Sequence, residues 1–352
     1  MRRRRRSAPP PAPLEQRHGI DPVRLRLPPD PERRWATVVD HLRERYAEFA
    51  GADEFDRMVE RGRFVTASGS IEARTRYEPG LYVWFHRDFA PEEAVPFPVG
   101  VVHRDERIVV ADKPHFLATT PRGSHITETA LARLRRELSL PELQPAHRLD
   151  RLTAGLVLFV VRPADRGAYQ SLFQDRRVRK EYVAVARHDP ALTFPRTVRN
   201  RIEKVPGRLA AVELPGEPNS ESRIELLGHR DGLAGYRLLP TTGRTHQLRL
   251  HMSGLGLPLL HDPLFPDDHR PDAHHPAPHL ADSERPDPHR PAPHRPDSAT
   301  APPGPDAVRH GVDDWDRPLQ LLARALEFTD PVTGEEIRCT SRLRLSHWPL
   351  PG

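Results

Sequence analysis

The sequence predicts an α+β fold, because strand-type and helix-type hydrophobic patterns both recur along it. The clearest strand is Leu156 to Val161, six apolar residues in an unbroken run rich in Val and Phe, which reads as a buried strand. Arg179 to Ala186 alternates polar and apolar residues, the pattern of a strand buried on one side. Against these, Trp35, Val38, Val39, Leu42, Tyr46 and Phe49 fall at helical spacing, and Gly51 is placed to end that helix.

In chain order, five consecutive arginines, Arg2 to Arg6, open a Pro-rich stretch to about residue 22. This composition predicts a disordered basic tail. It reads either as a sequence-independent grip on RNA phosphates or as a solvated end. The helix from Trp35 follows, then a short apolar pattern at Phe55, Met58 and Val59 with Gly62 near its end, then strands at Phe64-Val65 and Leu81 to Phe85. Val99 opens a second region, in which Arg107 to Pro114 reads as a strand running into a turn. Lys113, at its end, can serve either an anionic partner or the fold's own loops, and the second reading is preferred. Thr127 is placed to cap a helix carrying Ala130, Leu131, Leu134 and Leu138, with Pro141 just past its end. Arg133, Arg135 and Arg136 read as its solvated face.

After the strand at Leu156, Ala168, Tyr169, Leu172 and Phe173 predict another helix, followed by the alternating strand around Tyr182. Gly235 to Pro240 is a short strand leading into Thr241 to Met252, where Thr245 is a candidate cap and Leu248, Leu250 and Met252 fit a helix or a strand. From about 266 to 311 the chain becomes low-complexity, with His289-Arg290-Pro291 and His294-Arg295-Pro296 recurring among Pro, Asp and Ala. That composition predicts a disordered insert; its histidines show no ordered metal-ligand spacing, so a plain loop is preferred to a metal site. Leu319 to Phe328 is helical or strand-like, and a turn at Asp330 to Glu335 precedes a last strand from Ile337 to Leu345.

Composition narrows the function classes. The chain has 352 residues, long enough for one large domain and an accessory one. Hydrophobic residues make up only 37% and prolines number 41, so part of the chain is expected to stay unpacked. The formal charge of +5 favours an anionic partner. Apart from Lys113, Lys180 and Lys204, every basic residue is Arg, the side chain suited to phosphate forks and base stacking. The lone Cys339 excludes an internal disulfide and fits a reducing cytosol. No apolar run approaches the roughly 20 residues needed to cross a bilayer. The arginine run is not followed by the apolar stretch of a secretory signal.

The chemistry-bearing stretch is Pro145-Ala146-His147-Arg148-Leu149-Asp150-Arg151-Leu152-Thr153-Ala154-Gly155, which places one carboxylate among basic side chains just ahead of the buried strand. Arg148 and Arg151 are expected to hold Asp150 ionised through opposite charge; the bland reading is a surface ion pair. Two further stretches accompany it. One is Lys180-x-Tyr182-x-Ala184; the other is Thr242-Gly243-Arg244-Thr245-His246-Gln247-Leu248-Arg249.

Together these three stretches closely resemble the signatures of the RluA-type family of RNA pseudouridine synthases. The resemblance runs from about Val99 to Leu345, interrupted by the insert. Two positions depart from it: Ala154 stands where Ser is usual, and His261 where Gly is usual, which puts the turn at 261 in question. The resemblance implies a mixed, mainly antiparallel central sheet with flanking helices and a catalytic cleft, and a helix rather than a strand after His246. It implies that Asp150 is the nucleophile, that Tyr182 stacks on the target base and assists proton removal, and that Arg244 pairs with Asp150. Arg148, Arg151, Lys180, His246, Gln247 and Arg249 are expected to contact substrate RNA. The first region, residues 23–98, is similar to the small S4-type RNA-binding module; a plain structural extension reads as well. The catalytic domain would then span 99–352.

Pseudouridine formation breaks the N1–C1′ bond of uridine, turns the base and rejoins it through C5. Nothing is oxidised, so no cofactor and no metal are expected. The reaction needs a nucleophilic carboxylate, a hold on the free uracil and an acceptor for the C5 proton. A stacked base is out of reach, so the uridine must be flipped out, and arginine–phosphate contacts offset that cost. The expected partner is RNA, rRNA ahead of tRNA, for a cytoplasmic monomer that touches no membrane. Two rival classes are a catalytically inactive RNA-binding protein of the same fold and a hydrolase built on His147 or His246. The second lacks any Gly-x-Ser-x-Gly elbow.

Overall fold

The computed structural model describes residues 10–89, 91–266 and 313–350. The arginine run at 2–6 and nearly all of the Pro- and His-rich stretch lie outside these residues. The described residues form two compact units, one ending at Glu92 and the other beginning at Glu93.

The first unit is a four-stranded sheet with two helices. Its elements are β1 (Val23–Arg26), α1 (Val38–Ala50), α2 (Ala52–Glu60), β2 (Val65–Thr66), β3 (Gly69–Ser70) and β4 (Tyr82–Phe85), with strand order β1-β4-β2-β3. A capping box starts α1: the Asp40 N–H donates to the Thr37 hydroxyl oxygen (3.1 Å) and the Thr37 N–H to the Asp40 carboxylate (2.8 Å). Gly51, at φ 80, separates α1 from α2. Leu25, Val38, Leu42, Phe55, Phe64 and Val83 close a common core. Of the segment read as a tail, Arg17 and Ile20 form a short bridge, and the Glu15 carbonyl accepts a hydrogen bond from the His86 ring (2.9 Å).

The second unit is an α+β body on one large sheet. It comprises β5 (Gly100–Arg104), β6 (Ile108–Lys113), α3 (Ala130–Glu137), β7 (Gln144–Pro145), β8 (Ala154–Val160), α4 (Arg166–Gln174), β9 (Arg179–Arg187) and β10 (Arg196–Glu203). It continues with β11 (Val212–Leu214), β12 (Ser220–Arg230), β13 (Leu233–Pro240), α5 (Gln247–Gly254), β14 (Leu321–Thr329) and β15 (Glu336–Thr340). The strand order is β11-β10-β12-β13-β9-β14-β8-β6-β5, with β15 beside β14 and β7 beside β8. Among these strands only β8 and β14 run parallel. The mainly antiparallel sheet is the architecture the sequence implied.

All seven residues of β8 are buried. Val157 and Phe159 face the cluster that includes Ala130, Leu131 and Leu134 of α3, while Leu156, Leu158 and Val160 face Tyr169 and Leu172 of α4. Helices therefore cover both faces of this strand, which is why it reads as a continuous apolar run instead of an alternation. Leu248 and Met252 of α5 close a further cluster with Ala184, Ala186, Tyr236 and Leu238.

Several local expectations change. Thr129, not Thr127, caps α3, its hydroxyl accepting from the Ala132 N–H (3.2 Å). Of the arginines of α3, Arg136 is exposed as expected, but Arg133 and Arg135 are not. Arg135 is buried and donates to the Leu143 carbonyl (3.0 Å); Arg133 pairs with Glu128 and donates to the carbonyls of Phe97 and Val95. The segment from Leu319 is a strand, and the strand expected from 337 to 345 ends at Thr340.

Candidate active site

The Asp150 loop is held from one side by the segment that follows β6. The Thr119 hydroxyl donates to the Leu149 carbonyl (2.8 Å) and accepts from the Leu149 N–H (3.2 Å). Lys113 Nζ donates to the carbonyl of Arg151 (3.1 Å), and the His115 ring donates to that of Leu152 (2.7 Å). Within the loop, the Thr153 N–H donates to the Asp150 carbonyl (3.1 Å). Every main-chain position from 149 to 152 is thus fixed by at least one hydrogen bond, while no side-chain hydrogen bond ties the Asp150 carboxylate among the described residues. A carboxylate on a rigid backbone with free oxygens suits a nucleophile.

Lys113 is fully buried and also donates to the carbonyls of Pro114 (2.9 Å) and Leu117 (2.8 Å). Burial pushes its ammonium down to about 7, and the nearby Asp150 charge opposes that. Three carbonyl acceptors favour the ammonium as well, because only the charged form has three hydrogens. The preferred reading of Lys113 as a contact to the fold's own loops is the one its geometry gives.

Tyr182 reaches the same place through sheet register. On β14, Ala323 pairs with Gly155 of β8 on one side and with Tyr182 of β9 on the other. Neighbouring strands lie about 4.8 Å apart, so this rung sets Tyr182 about 10 Å from the start of β8. Tyr182 and Leu152 are both half-buried, and both pack against the α3-side and the α5-side clusters. Burial, and after it the Asp150 charge, pushes the Tyr182 hydroxyl well above an ordinary phenol. The ring therefore presents a protonated O–H.

The third motif arrives at the N-terminus of α5. His246 sits at φ 56 and precedes the first helical residue. It occupies the cap position expected of Thr245, and its side chain makes no capping bond. Burial lowers its imidazole pKa, and the Asp150 charge is the main force opposing that shift. The Asp150 loop, Tyr182 and His246 are therefore electrostatic neighbours drawn from three separate segments.

Other expected site residues take different partners. Arg244 Nε donates to the Asn219 carbonyl (3.2 Å), and among the described residues no ion pair joins it to Asp150. Arg151 is held by Asp313 through two contacts (2.5 and 2.9 Å), so it does not serve Asp150. Arg148 is exposed, and no ion pair ties it to Asp150 among the described residues. Lys180 Nζ donates to the Thr242 carbonyl (3.0 Å) and so positions the turn before Arg244; burial pushes its ammonium down to about 8.

The side chains of Gln247 and Arg249 are buried and committed to neighbours within the fold. Gln247 accepts from the Thr242 hydroxyl (2.7 Å) and the Arg244 N–H (3.0 Å), and donates to the Glu221 carbonyl (3.0 Å) and the Ser222 hydroxyl (2.9 Å). Arg249 is buried in a two-contact pair with Asp262 (2.7 and 2.5 Å), over the ring of Phe265. Both are framework residues. His147 is one too. Its Nε2 accepts from the Leu158 N–H (3.1 Å), its ring stacks on Phe173, and burial pushes it down to about 3. An imidazole used this way is not a general base, which removes that half of the hydrolase reading.

A cavity of about 400 Å³ opens beside the loop, lined by Phe116, Arg151, Leu152, His261, Asp313 and Leu319 among others. Asp150, Tyr182 and Arg244 do not line it; it adjoins the loop through Arg151 and Leu152. His261 adopts φ 63, the left-handed conformation that glycine takes most easily. The turn in question at this position is therefore kept, with a histidine in it. The residues that sequence reading missed are Thr119 and His115, which hold the loop; neither stands within a quoted motif, although both lie close to Lys113.

Comparison with known proteins shows the family to which the chain belongs. The family pattern described as RNA pseudouridylate synthase matches residues 107–254. The human pseudouridylate synthase RPUSD2 is 34% identical over 182 residues, covering 50% of this chain and 32% of that protein. The chain thus spans about a third of the length of the human relative, and the same holds for its mouse counterpart. The dual-specificity RNA pseudouridine synthase RluA of Pasteurella multocida is 30% identical over 180 residues, covering 46% of this chain and 74% of that protein. Among solved structures, human RNA pseudouridylate synthase domain containing 4 aligns at 24% identity and a TM-score of 0.47, covering 70% of this chain and 89% of that one. On the sequence match, which takes in all three signature stretches, the chain belongs to the RluA-type family of RNA pseudouridine synthases.

Proposed function

We propose that this protein isomerises uridine in RNA to pseudouridine, with Asp150 as the nucleophile. One observation carries the reading: Asp150 stands on a loop fixed at four consecutive backbone positions, with its carboxylate free and Tyr182 and His246 within its field. The carboxylate attacks the flipped nucleoside, the N1–C1′ bond breaks, the turned base rejoins C1′ through C5, and the bond to Asp150 breaks to restore the free carboxylate. The C5 proton leaves and N1 gains one, so the atoms balance without an oxidant. Tyr182 supplies an aromatic surface for the detached uracil. Because its hydroxyl is held protonated, it acts as a neutral O–H and not as a phenolate. Arg244 leaves the Asn219 carbonyl for Asp150 when RNA fills the site.

In this reading residues 99–352 are the catalytic domain and 23–98 an accessory region, working as a cytoplasmic monomer with no cofactor. Its RNA target is rRNA first and tRNA second. Carbodiimide mapping of rRNA and tRNA from cells with and without the protein tests this. The expected result is the loss of pseudouridine at one or a few uridines when the protein is absent, and its return with the wild-type chain. Identical maps in both cells would favour an RNA-binding protein without catalysis.

A further inference from the structure

His246 is a half-buried residue of the third motif whose ring is held on one side only. Its backbone stands in the left-handed region, which a non-glycine residue seldom adopts and which clusters at functional sites. The Ala211 N–H donates to its Nδ1 (3.3 Å). In a neutral imidazole a nitrogen that accepts carries no hydrogen, so the proton resides on Nε2. Burial keeps the ring neutral. Of the charged groups around it, Asp150 and Asp262 favour the protonated ring while Arg249 and Lys204 oppose it. The edge of Phe265 fixes the ring plane, with centroids 5.9 Å apart at 79°. Nε2 itself has no hydrogen-bond partner among the described residues, and it is not sealed from solvent. The result is a single oriented N–H donor within the electrostatic reach of the proposed nucleophile.

We propose that His246 Nε2–H donates a hydrogen bond to the C4 carbonyl oxygen of the target uracil and so helps to select the base. This rests on the reading of Asp150 as nucleophile. Uracil offers carbonyl acceptors at positions 2 and 4, whereas cytosine has an amino donor at position 4. A donor whose tautomer is fixed by the backbone cannot turn into an acceptor to suit the wrong base. A site built around such a bond discriminates strongly, because the mismatched base leaves a desolvated N–H unpaired.

The test compares the full-length wild-type chain with His246→Phe and His246→Gln on one RNA carrying uridine, 2-thiouridine or 4-thiouridine at the target. Phenylalanine keeps the ring against Phe265 and removes both nitrogens; glutamine retains an N–H near the Nε2 position. The expected loss in kcat/KM for His246→Phe on uridine is about 10- to 100-fold, with most of it recovered in His246→Gln. Wild type should also be slowed by the 4-thio and not by the 2-thio substitution, and His246→Phe should not distinguish 4-thiouridine from uridine; slowing of wild type by the 2-thio substitution alone would overturn the selection of the base. In ¹⁵N-histidine NMR of the wild-type protein, the signal absent from a folded His246→Gln should show the Nε2–H tautomer. A full rate in a folded His246→Phe, or an Nδ1–H tautomer, would overturn the proposal. If Asp150→Asn is inactive in the same assay while His246→Phe is unimpaired, only the role of His246 fails; an active Asp150→Asn would remove the nucleophile reading beneath it.

Discussion

Lys113 shows how much a single buried cation can organise. Its Nζ holds three carbonyls, one of them in the Asp150 loop, and the Asp150 charge reaches it across that loop. Replacing it with methionine fills a similar volume but strips three buried acceptors of their donor at once. Each unsatisfied buried group costs about 1–3 kcal/mol, so Lys113→Met should lower unfolding free energy by at least about 3 kcal/mol. Urea denaturation measures this, and a change below about 1 kcal/mol would show that the three contacts are not formed in solution. The contrast with Arg249 and Gln247 explains why the motif residues were legible in place but not in role. A family signature marks residues that the fold and the chemistry both require. Sequence pattern cannot separate an arginine that meets phosphate from one sealed on Asp262.

At the scale of elements, the decisive contact is the parallel edge between β8 and β14. Gly155 sits at φ 110, and a Cβ there would fall 2.3 Å from the Ala323 carbonyl oxygen and 2.6 Å from its nitrogen. No side chain fits, so the glycine of the Asp150 motif serves strand packing. Gly155→Ala should part the two strands, shift Tyr182 from its rung opposite Ala323, and lower the thermal midpoint by several degrees, since about 1 kcal/mol corresponds to about 2–4 °C in a chain of this size. An unchanged midpoint in a calorimetric scan would contradict the close approach. Strand β8, helix α4 and strand β9 were legible because their apolar periods are clean. Strands β10 to β12 were not, because their inward positions include Asn200, Ser220 and Ser222 beside Val198 and Ile202, and their outward positions alternate Arg with Glu. A polar residue facing inward breaks the period-two signal that identifies a strand.

Across the whole molecule, the strand that completes the sheet comes from the far end of the chain. β14 enters between β8 and β9, elements more than 130 residues earlier, and Asp313 just ahead of it holds Arg151. Local periodicity reports that such a segment is apolar; it carries no information about which strands will flank it. The mainly antiparallel sheet was legible only through family resemblance, and so was the electrostatic influence of Asp150 on Tyr182. The cationic environment expected from Arg148 and Arg151 was misread, since charge neighbours in sequence need not be neighbours in space. The central claim concerns one side chain, and release of tritium from RNA labelled at C5 of uridine addresses it directly, because that hydrogen must leave when the new C5–C1′ bond forms. The wild-type chain should release tritium in step with pseudouridine formation, while Asp150→Asn should bind the same RNA and release none; release by Asp150→Asn at the wild-type rate would contradict the assignment of the nucleophile.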